Sequence, residues 1–466
     1  MGDTTKHFQT GLHGLLLPTS EGWQLPLAAG PDEARLPWGM PDGLNLRDPE
    51  PVEMVVTLYD SWEWTLWHAG LRLVGDGVSV RLFDATKGEL PKASLSKASP
   101  PRFVHDQPSS PWRDRVAPLL KLRALTKVAQ VPVVQRTFDV CNADDKTVVR
   151  LIEHVWNDRL RMVALSPLRG YEDEAAAVRK ALPKPTHAAR SGLHHALEVV
   201  ELQPRRWTNK PGFAFTAQTP ARKAVGEMLA TMVTLARETE AGTVEDIDTE
   251  FLHDYRVLIR KARSVLSLTR GVLSAEATAS LKTQLSALGR RTNALRDFDV
   301  HLLSQPIQEA AVPEPLRASL RPLFEDIALR RGKAHAQLRA TLTGSAYGRS
   351  LEALLEEITS AEPGPRAEWT TRKLADKKVS SQLKKVQRQG RAITDQTPDE
   401  DVHALRIECK KLRYLLEFFR GLYPDAEVSA MVKVLKRLQD VLGDFNDYSV
   451  QQEQLYAWLD QTSRLS

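Results

Sequence analysis

The chain has 466 residues, of which 42% are apolar and 26% charged, and 64 Lys and Arg stand against 59 Asp and Glu for a net charge of +5. This composition excludes a wholly disordered chain, a collagen-like repeat and a disulfide-rich secreted scaffold. The charge surplus alone is too small to argue for a polyanionic partner, so any such argument rests on where the cations sit.

At roughly 100–200 residues per domain, the length suggests two to four domains. Met1 to Thr10 lack the apolar core of a signal peptide, and no window reaches about 18 uncharged apolar residues. Cys141 and Cys409 lie far apart with no metal-ligand spacing, as expected in a reducing compartment. A cytoplasmic protein with no membrane partner is predicted.

In chain order, the first half consists of short apolar runs broken by Pro and Gly. Met54–Tyr59, Val78–Phe83, Val131–Phe138 and Thr147–Ile152 read as strands. The turn cluster Asn142-Ala143-Asp144-Asp145 joins the last two as a hairpin. Ala98–Asp114, rich in Pro and Ser, is predicted as a loop, and Pro204–Pro220 as a linker. From about Arg222 long helical periods take over. Pro220 fits a helix start, and Gly271, Gly344 and Gly421 fit helix ends or breaks. The predicted class is α+β: a β-rich domain over 1–205, a linker at 206–220 and an all-α domain over 221–466.

The second half repeats itself. His253-x-x-Arg256-x-x-x-Arg260-Lys261-x-Arg263 matches His403-x-x-Arg406-x-x-x-Lys410-Lys411-x-Arg413 without a gap. Leu295-Arg296-Asp297-Phe298-Asp299 matches Leu442-Gly443-Asp444-Phe445-Asn446. An internal duplication explains both, with repeats at about 221–345 and 346–466. On a helix at about 100° per residue, His253, Arg256, Arg260 and Arg263 fall within roughly 80° of arc. Tyr255, Ile259, Ala262 and Leu266 form the buried face beside them, as do Leu405, Leu412, Leu416 and Phe419 in the second copy. The stripe therefore borders the packing seam and carries no acid of its own. Two such stripes facing each other would line a basic channel, whose low-dielectric walls focus the field on a polyanion.

Alternative readings of these residues remain. The Arg and Lys stems could snorkel over a core. His253 and His403 could pack at helix starts or donate to phosphate oxygens. Further basic residues flank the motifs: Arg290 and Arg291 before the first, Lys433, Lys436 and Arg437 before the second. Arg372–Arg391, with Lys384, Lys385 and Arg388, carries a single acid, Asp376. Asp297, Asp299, Asp444 and Asp447 are read as orienting arginines or capping helices, not as metal ligands.

The pattern His403…Arg406…Lys410-Lys411…Arg413-Tyr414 followed by Leu438-Gln439-Asp440-Val441-Leu442-Gly443-Asp444-Phe445-Asn446-Asp447 resembles the C-terminal half of the CHAD domain. His253…Arg263 with Leu295–Val300 resembles its N-terminal half, and the likeness covers roughly residues 217–466. It implies two helical bundles related by pseudo-twofold symmetry and binding of inorganic polyphosphate along a basic central pore. The implied ligands are His253, Arg256, Arg260, Lys261, Arg263, Arg290, Arg291, Arg296, Lys384, Arg388, His403, Arg406, Lys410, Lys411, Arg413, Lys433 and Arg437.

CHAD domains often follow a CYTH domain, a triphosphate tunnel fold, and the first half is weakly similar to one. Leu58-Tyr59-Asp60-Ser61 with Leu66–Leu73, and Leu165–Tyr171, resemble two of its stretches. The family's E-x-E-x-K strand is missing from the first fifty residues, and Asp60-Ser61 replaces the usual Asp-Thr. Metal-dependent hydrolysis needs clustered carboxylates, which are sparse here. The expectation is a polyphosphate-binding protein with an inactive tunnel-like domain, no cofactor, and location in the cytoplasm or on polyphosphate granules with their proteins. The alternative is a CYTH-type triphosphatase or polyphosphatase that uses Mg²⁺ or Mn²⁺ and grips substrate with the helical domain. A specific nucleic-acid partner is not expected, because no aromatic stacking residues interleave the stripe.

Overall fold

The computed structural model describes residues 22–25, 36, 39–48, 50–85, 88–90, 95, 99–182, 197–198, 200–394 and 396–442. The chain divides into two units, Met1–Trp207 and Thr208–Ser466. The second motif's Gly443-Asp444-Phe445-Asn446-Asp447 lies outside the described residues.

The first unit holds an antiparallel sheet of β1 (Gly22–Leu25), β2 (Asn45–Arg47), β3 (Val52–Asp60), β4 (Leu71–Gly75), β5 (Val80–Asp84), β6 (Gly88–Glu89), β7 (Thr126–Cys141), β8 (Thr147–Trp156) and β9 (Leu160–Pro167). The strand order is β1-β9-β8-β7-β3-β4-β5-β6, with β2 also paired to β7. The predicted hairpin is β7–β8, with Arg136 opposite Glu153. The Asn142 side-chain oxygen accepts from the amides of Asp144 and Lys146 at 3.1 and 3.0 Å, and Asp145 takes the left-handed φ of 56° that the turn requires.

Helix α1 (Thr65–His68) follows Asp60-Ser61. The buried Asp60 carboxylate accepts from the amides of Ser61, Leu66 and Trp67 at 2.7–2.8 Å, so this conspicuous pair works as a cap. Arg72 lies 3.5 Å over the Trp67 ring.

The loop prediction departs from the structure. Part of the predicted loop 98–114 is the start of α2 (Pro111–Leu120), with Ser110 accepting from the Arg113 amide at 3.2 Å. Ser before Pro is a helix-start signal that the surrounding prolines obscure. Trp112, Val116 and Leu120 bury the helix against Leu71, Leu73 and Leu82. Helix α3 (Glu172–Ala181) follows the last strand. Glu153, fully buried, is held by Arg161 at 2.6 Å and Arg136 at 2.8 Å.

The second unit is helical: α4 (Ala221–Glu238), α5 (Glu240–Val244), α6 (Thr249–Leu268), α7 (Ala275–Arg291), α8 (Asn293–Ala311), α9 (Glu314–Arg317), α10 (Arg321–Leu342), α11 (Ser345–Ser360), α12 (Thr371–Arg391), α13 (Asp399–Phe418) and α14 over 425–442. The stripe-bearing helices α6 and α13 bury the faces read from the sequence, Tyr255, Ile259, Ala262 and Leu266 in one, Leu405, Leu412 and Leu416 in the other.

The duplication extends beyond the motif. Helices α4, α6 and α7 start at 221, 249 and 275, and α12, α13 and α14 start at 371, 399 and 425, an offset of 150 each time. Backbone bonds are exchanged between matching positions. Ala221 N donates to Trp369 O at 2.7 Å, and Thr371 N to Thr219 O at 2.8 Å. Arg222 N donates to Ala367 O at 3.0 Å, and Arg372 N to Ala217 O at 3.1 Å.

Residues 208–220 do not run free as a linker would. The Asn209 side chain donates to Asp254, Lys261 Nζ donates to the Asn209 carbonyl at 2.9 Å, and Phe215 meets Phe419 edge-on at 6.3 Å.

Candidate functional site

The 3.6-residue period of α6 places Arg256, Arg260 and Arg263 along one side of the helix. There they meet the end of α7 and the start of α8. Arg256, Ile259, Arg260 and Arg263 line a cleft of ≈ 240 Å³ with Ser286, Gly289 and Arg290 of α7 and Asn293 of α8. Four guanidinium groups thus share one small cleft. Arg260, Arg263 and Arg290 are exposed, and none has an ion-pair partner among the described residues.

Arg256 is the anchored member. Its Nη1 donates to the Thr292 hydroxyl at 2.6 Å, to the Asn293 side-chain oxygen at 2.8 Å and to the Gly289 carbonyl at 3.2 Å. Burial holds its pKa below the ordinary value, with Arg260 and Arg296 acting in the same direction and Asp297 opposing them. The partial negative charge at the C-terminus of α7 favours Arg290 and Arg291, whereas the start of α8 is the positive end of that helix.

The other expected ligands are not among the residues that line this cleft. His253 is half-buried on α6, and Arg291 lies 5.9 Å from the Tyr347 ring centre. Arg296 on α8 is half-buried, with a buried Nη1 that has no hydrogen-bond partner. Lys384 and Arg388 are exposed on α12, as are Lys433 and Arg437 on α14. On α13, His403 is exposed while Arg406 and Lys410 are half-buried. Arg406 Nε is buried without a hydrogen-bond partner. Lys261 points away from the cleft, buried between the Asn209 carbonyl and Glu417 Oε2, 3.7 Å away.

The two copies differ in charge balance, which corrects the expectation of an acid-free stripe. In the second copy Glu408 meets Lys411 at 2.7 Å and Lys385 at 3.0 Å, and Glu417 meets Arg413 at 2.7 Å. Arg413 also donates to Gln439 at 3.0 Å. Burial alone would raise the Glu408 pKa, but hydrogen bonds from Gln382, Lys411 and Lys385 outweigh it and hold the carboxyl at about 2. A depressed carboxyl contributes stability that is fully present above its unfolded pKa near 4.5 and lost as pH falls towards 2. Both lysine side chains are about 40% exposed, so solvent screening limits the contribution to on the order of 1–2 kcal/mol. Glu408→Gln is expected to be less stable than the parent at pH 7, with the two converging in thermal melts near pH 2.

The acids of the first motif act structurally. Asp299 is buried and accepts from Arg331 Nε at 2.9 Å, while Arg331 also grips Asp246. Among the described residues no group of three or more His, Cys, Asp or Glu could hold a metal ion. No helix among them is long and apolar enough to cross a membrane. Thr292 and Asn293, which fix Arg256, are absent from the sequence-based set. Their signal is the Arg-Arg-Thr-Asn junction between two helical periods, where Thr and Asn favour a helix start.

Residues 227–456 match the CHAD domain family. Two uncharacterized proteins from two strains of Mycobacterium tuberculosis are each 27% identical over 243 residues, covering 51% of this chain and 45% of the relative. The match thus spans less than half the length of those relatives. Among solved structures, the CHAD domain from the plant Ricinus communis is 25% identical with a TM-score of 0.44, over 55% of this chain and 84% of that one. PptA from Streptomyces chartreusis is 12% identical with a TM-score of 0.36, over 52% of this chain and all of that one.

Proposed function

Residues 227–456 form a CHAD domain, and on that premise we propose that the protein binds inorganic polyphosphate, with the arginine cleft of the first repeat as its principal grip. The observation that carries this reading is the convergence of Arg256, Arg260, Arg263 and Arg290 on one cleft, three of them without an ion-pair partner among the described residues. Guanidinium forks match phosphate oxygens, and charge-assisted bonds to a repeating anion add up along its length. Binding of this kind falls steeply with salt, as counterions compete.

The reciprocal backbone bonds around Ala221 and Thr371 support a pseudo-twofold relation between the repeats. In this reading α13 supplies a second, weaker wall, because Glu408 and Glu417 already neutralise part of it. The antiparallel sheet of the first unit, with Arg136 and Arg161 on Glu153, is read as a tunnel-like scaffold without catalysis. Placement on polyphosphate granules would follow from the binding itself.

The test is titration with long-chain polyphosphate and with tripolyphosphate, with and without Mn²⁺, while phosphate release is followed. Salt-sensitive binding without release is the expected result. Absence of binding overturns the proposal, and Mn²⁺-dependent release would replace it with the hydrolase reading.

A further inference from the structure

A second group of cations lies beyond the cleft and is not among its lining residues. The segment 361–370 is locked onto the turn that follows α6. Arg366 N donates to Gly271 O at 2.7 Å, Gly364 N to Val272 O at 2.9 Å and Ser274 N to Glu362 O at 2.8 Å. A Cβ on Gly364 would meet the Leu273 carbonyl oxygen at 2.4 Å, so the backbone approach demands glycine. This clamp fixes Arg366, whose Nη1 donates to the Arg270 carbonyl at 2.9 Å.

Around Trp369 the cations crowd. The Arg366 guanidinium, Lys373 Nζ and Lys377 Nζ lie 5.3, 4.7 and 5.1 Å from its ring centre. A ring so occupied holds cations and does not offer a platform for a base. Lys378 is partly buried nearby, and burial with Arg366, Arg270 and Lys377 lowers its pKa. Lys282 of α7 is likewise lowered, by burial and then by Arg270 and Arg263. None of Arg270, Lys282, Arg366, Lys377 and Lys378 has an ion pair among the described residues, and Glu362 and Glu368 of the clamp form none with them. Partly desolvated like charges without a counter-charge are costly, and an incoming anion relieves that cost.

The two basic regions are joined along α6. Arg256, Arg263 and Arg270 recur every seven residues, about 10 Å per step on nearly one side of the helix, with Arg270 just past its end. Lys282 is within electrostatic reach of both Arg263 of the cleft and Arg270 of the second group.

We propose that Arg270, Lys282, Arg366 and Lys378 form a second polyanion subsite beside Trp369, so that a long phosphate chain engages it and the arginine cleft together while a short chain fills the cleft alone. This rests on the polyphosphate reading above and adds discrimination by chain length to it. A second grip on the same chain acts at high effective concentration and multiplies affinity.

The test compares full-length protein with the Lys282→Gln/Lys378→Gln variant, measuring Kd for tripolyphosphate and for long-chain polyphosphate at two salt concentrations. The variant should bind tripolyphosphate within about twofold of the parent, lose about tenfold for the long chain, and show a shallower salt dependence. Its ligand-free Tm should hold or rise, since two crowded charges are gone. The Lys282→Arg/Lys378→Arg variant should retain long-chain binding. Unchanged long-chain affinity, or equal weakening of both probes, overturns the subsite. Loss of single-stranded RNA binding with polyphosphate binding intact would assign the patch to nucleic acid. A parent protein that binds neither phosphate probe removes the polyphosphate reading itself, an outcome distinct from a failure confined to the variant.

Discussion

Reversal of both Arg260 and Arg263 to Glu is expected to weaken long-chain polyphosphate binding by about two to three orders of magnitude near physiological salt. Each substitution removes a guanidinium from the cleft and puts a carboxylate in its place, so attraction becomes repulsion where Arg256 and Arg290 still point inward. Both side chains are exposed and neither has an ion pair among the described residues, so helicity measured by circular dichroism should be unchanged. Reversal of two ion-paired cations of the second copy, Lys411→Glu/Arg413→Glu, which align with Lys261 and Arg263, should cost less binding, on the order of tenfold. Those cations already face Glu408 and Glu417 at 2.7 Å. Their reversal should cost more stability instead, because it sets like charges against partly buried carboxylates. Equal losses of binding in the two variants would place the grip evenly on both repeats and remove the distinction drawn here.

That asymmetry shows what the sequence could and could not reveal. The period of Arg256, Arg260 and Arg263 and the recurrence of the pattern at Arg406, Lys410 and Arg413 are one-dimensional signals, and a helix converts them directly into a face. The matching helix starts at 221 and 371, 249 and 399, and 275 and 425 follow from the same duplication. Lys261 looks like a stripe member by adjacency, yet one residue is a turn of 100°, enough to carry it off the cleft and against Asn209 and Glu417. Glu417 lies four residues beyond Arg413, so its pairing was legible as an i, i+4 contact. The bond between Lys385 and Glu408 joins two helices and was not. Nor was the contact of Arg256 with Thr292 and Asn293, since it depends on how α6 packs against the α7–α8 junction. In the first unit β3, β5, β7 and β8 were legible as short apolar runs, whereas β4, β9 and the start of α2 among the prolines were not.

Arg331→Met is expected to destabilise the helical unit by about 3–5 kcal/mol at pH 7, the cost of leaving a buried carboxylate without its counter-ion. Arg331 of α10 reaches Asp299 of α8 at 2.9 Å and binds Asp246 through both terminal nitrogens. Asp299 is 1% exposed, while Asp246 is 37% exposed and can be hydrated, so the penalty concentrates on Asp299. Burial already raises the Asp299 pKa against the opposing pull of Arg331. Without Arg331 it rises further, and an acid whose folded pKa exceeds its unfolded value loses stability as pH climbs between the two. The deficit of the variant should therefore be largest at neutral pH and shrink towards pH 4, where Asp299 takes up a proton in either state. Adding Asp299→Asn should recover part of the loss at pH 7 and flatten its pH dependence, a double-mutant result that denaturant melts at pH 5 and pH 8 would read. A deficit independent of pH and untouched by Asp299→Asn would assign the effect to lost packing of the arginine stem. The consequence for binding follows from position: α8 begins with Asn293, which lines the cleft and accepts from Arg256, so a loosened α8 should weaken tripolyphosphate binding although Arg331 is not among the cleft residues.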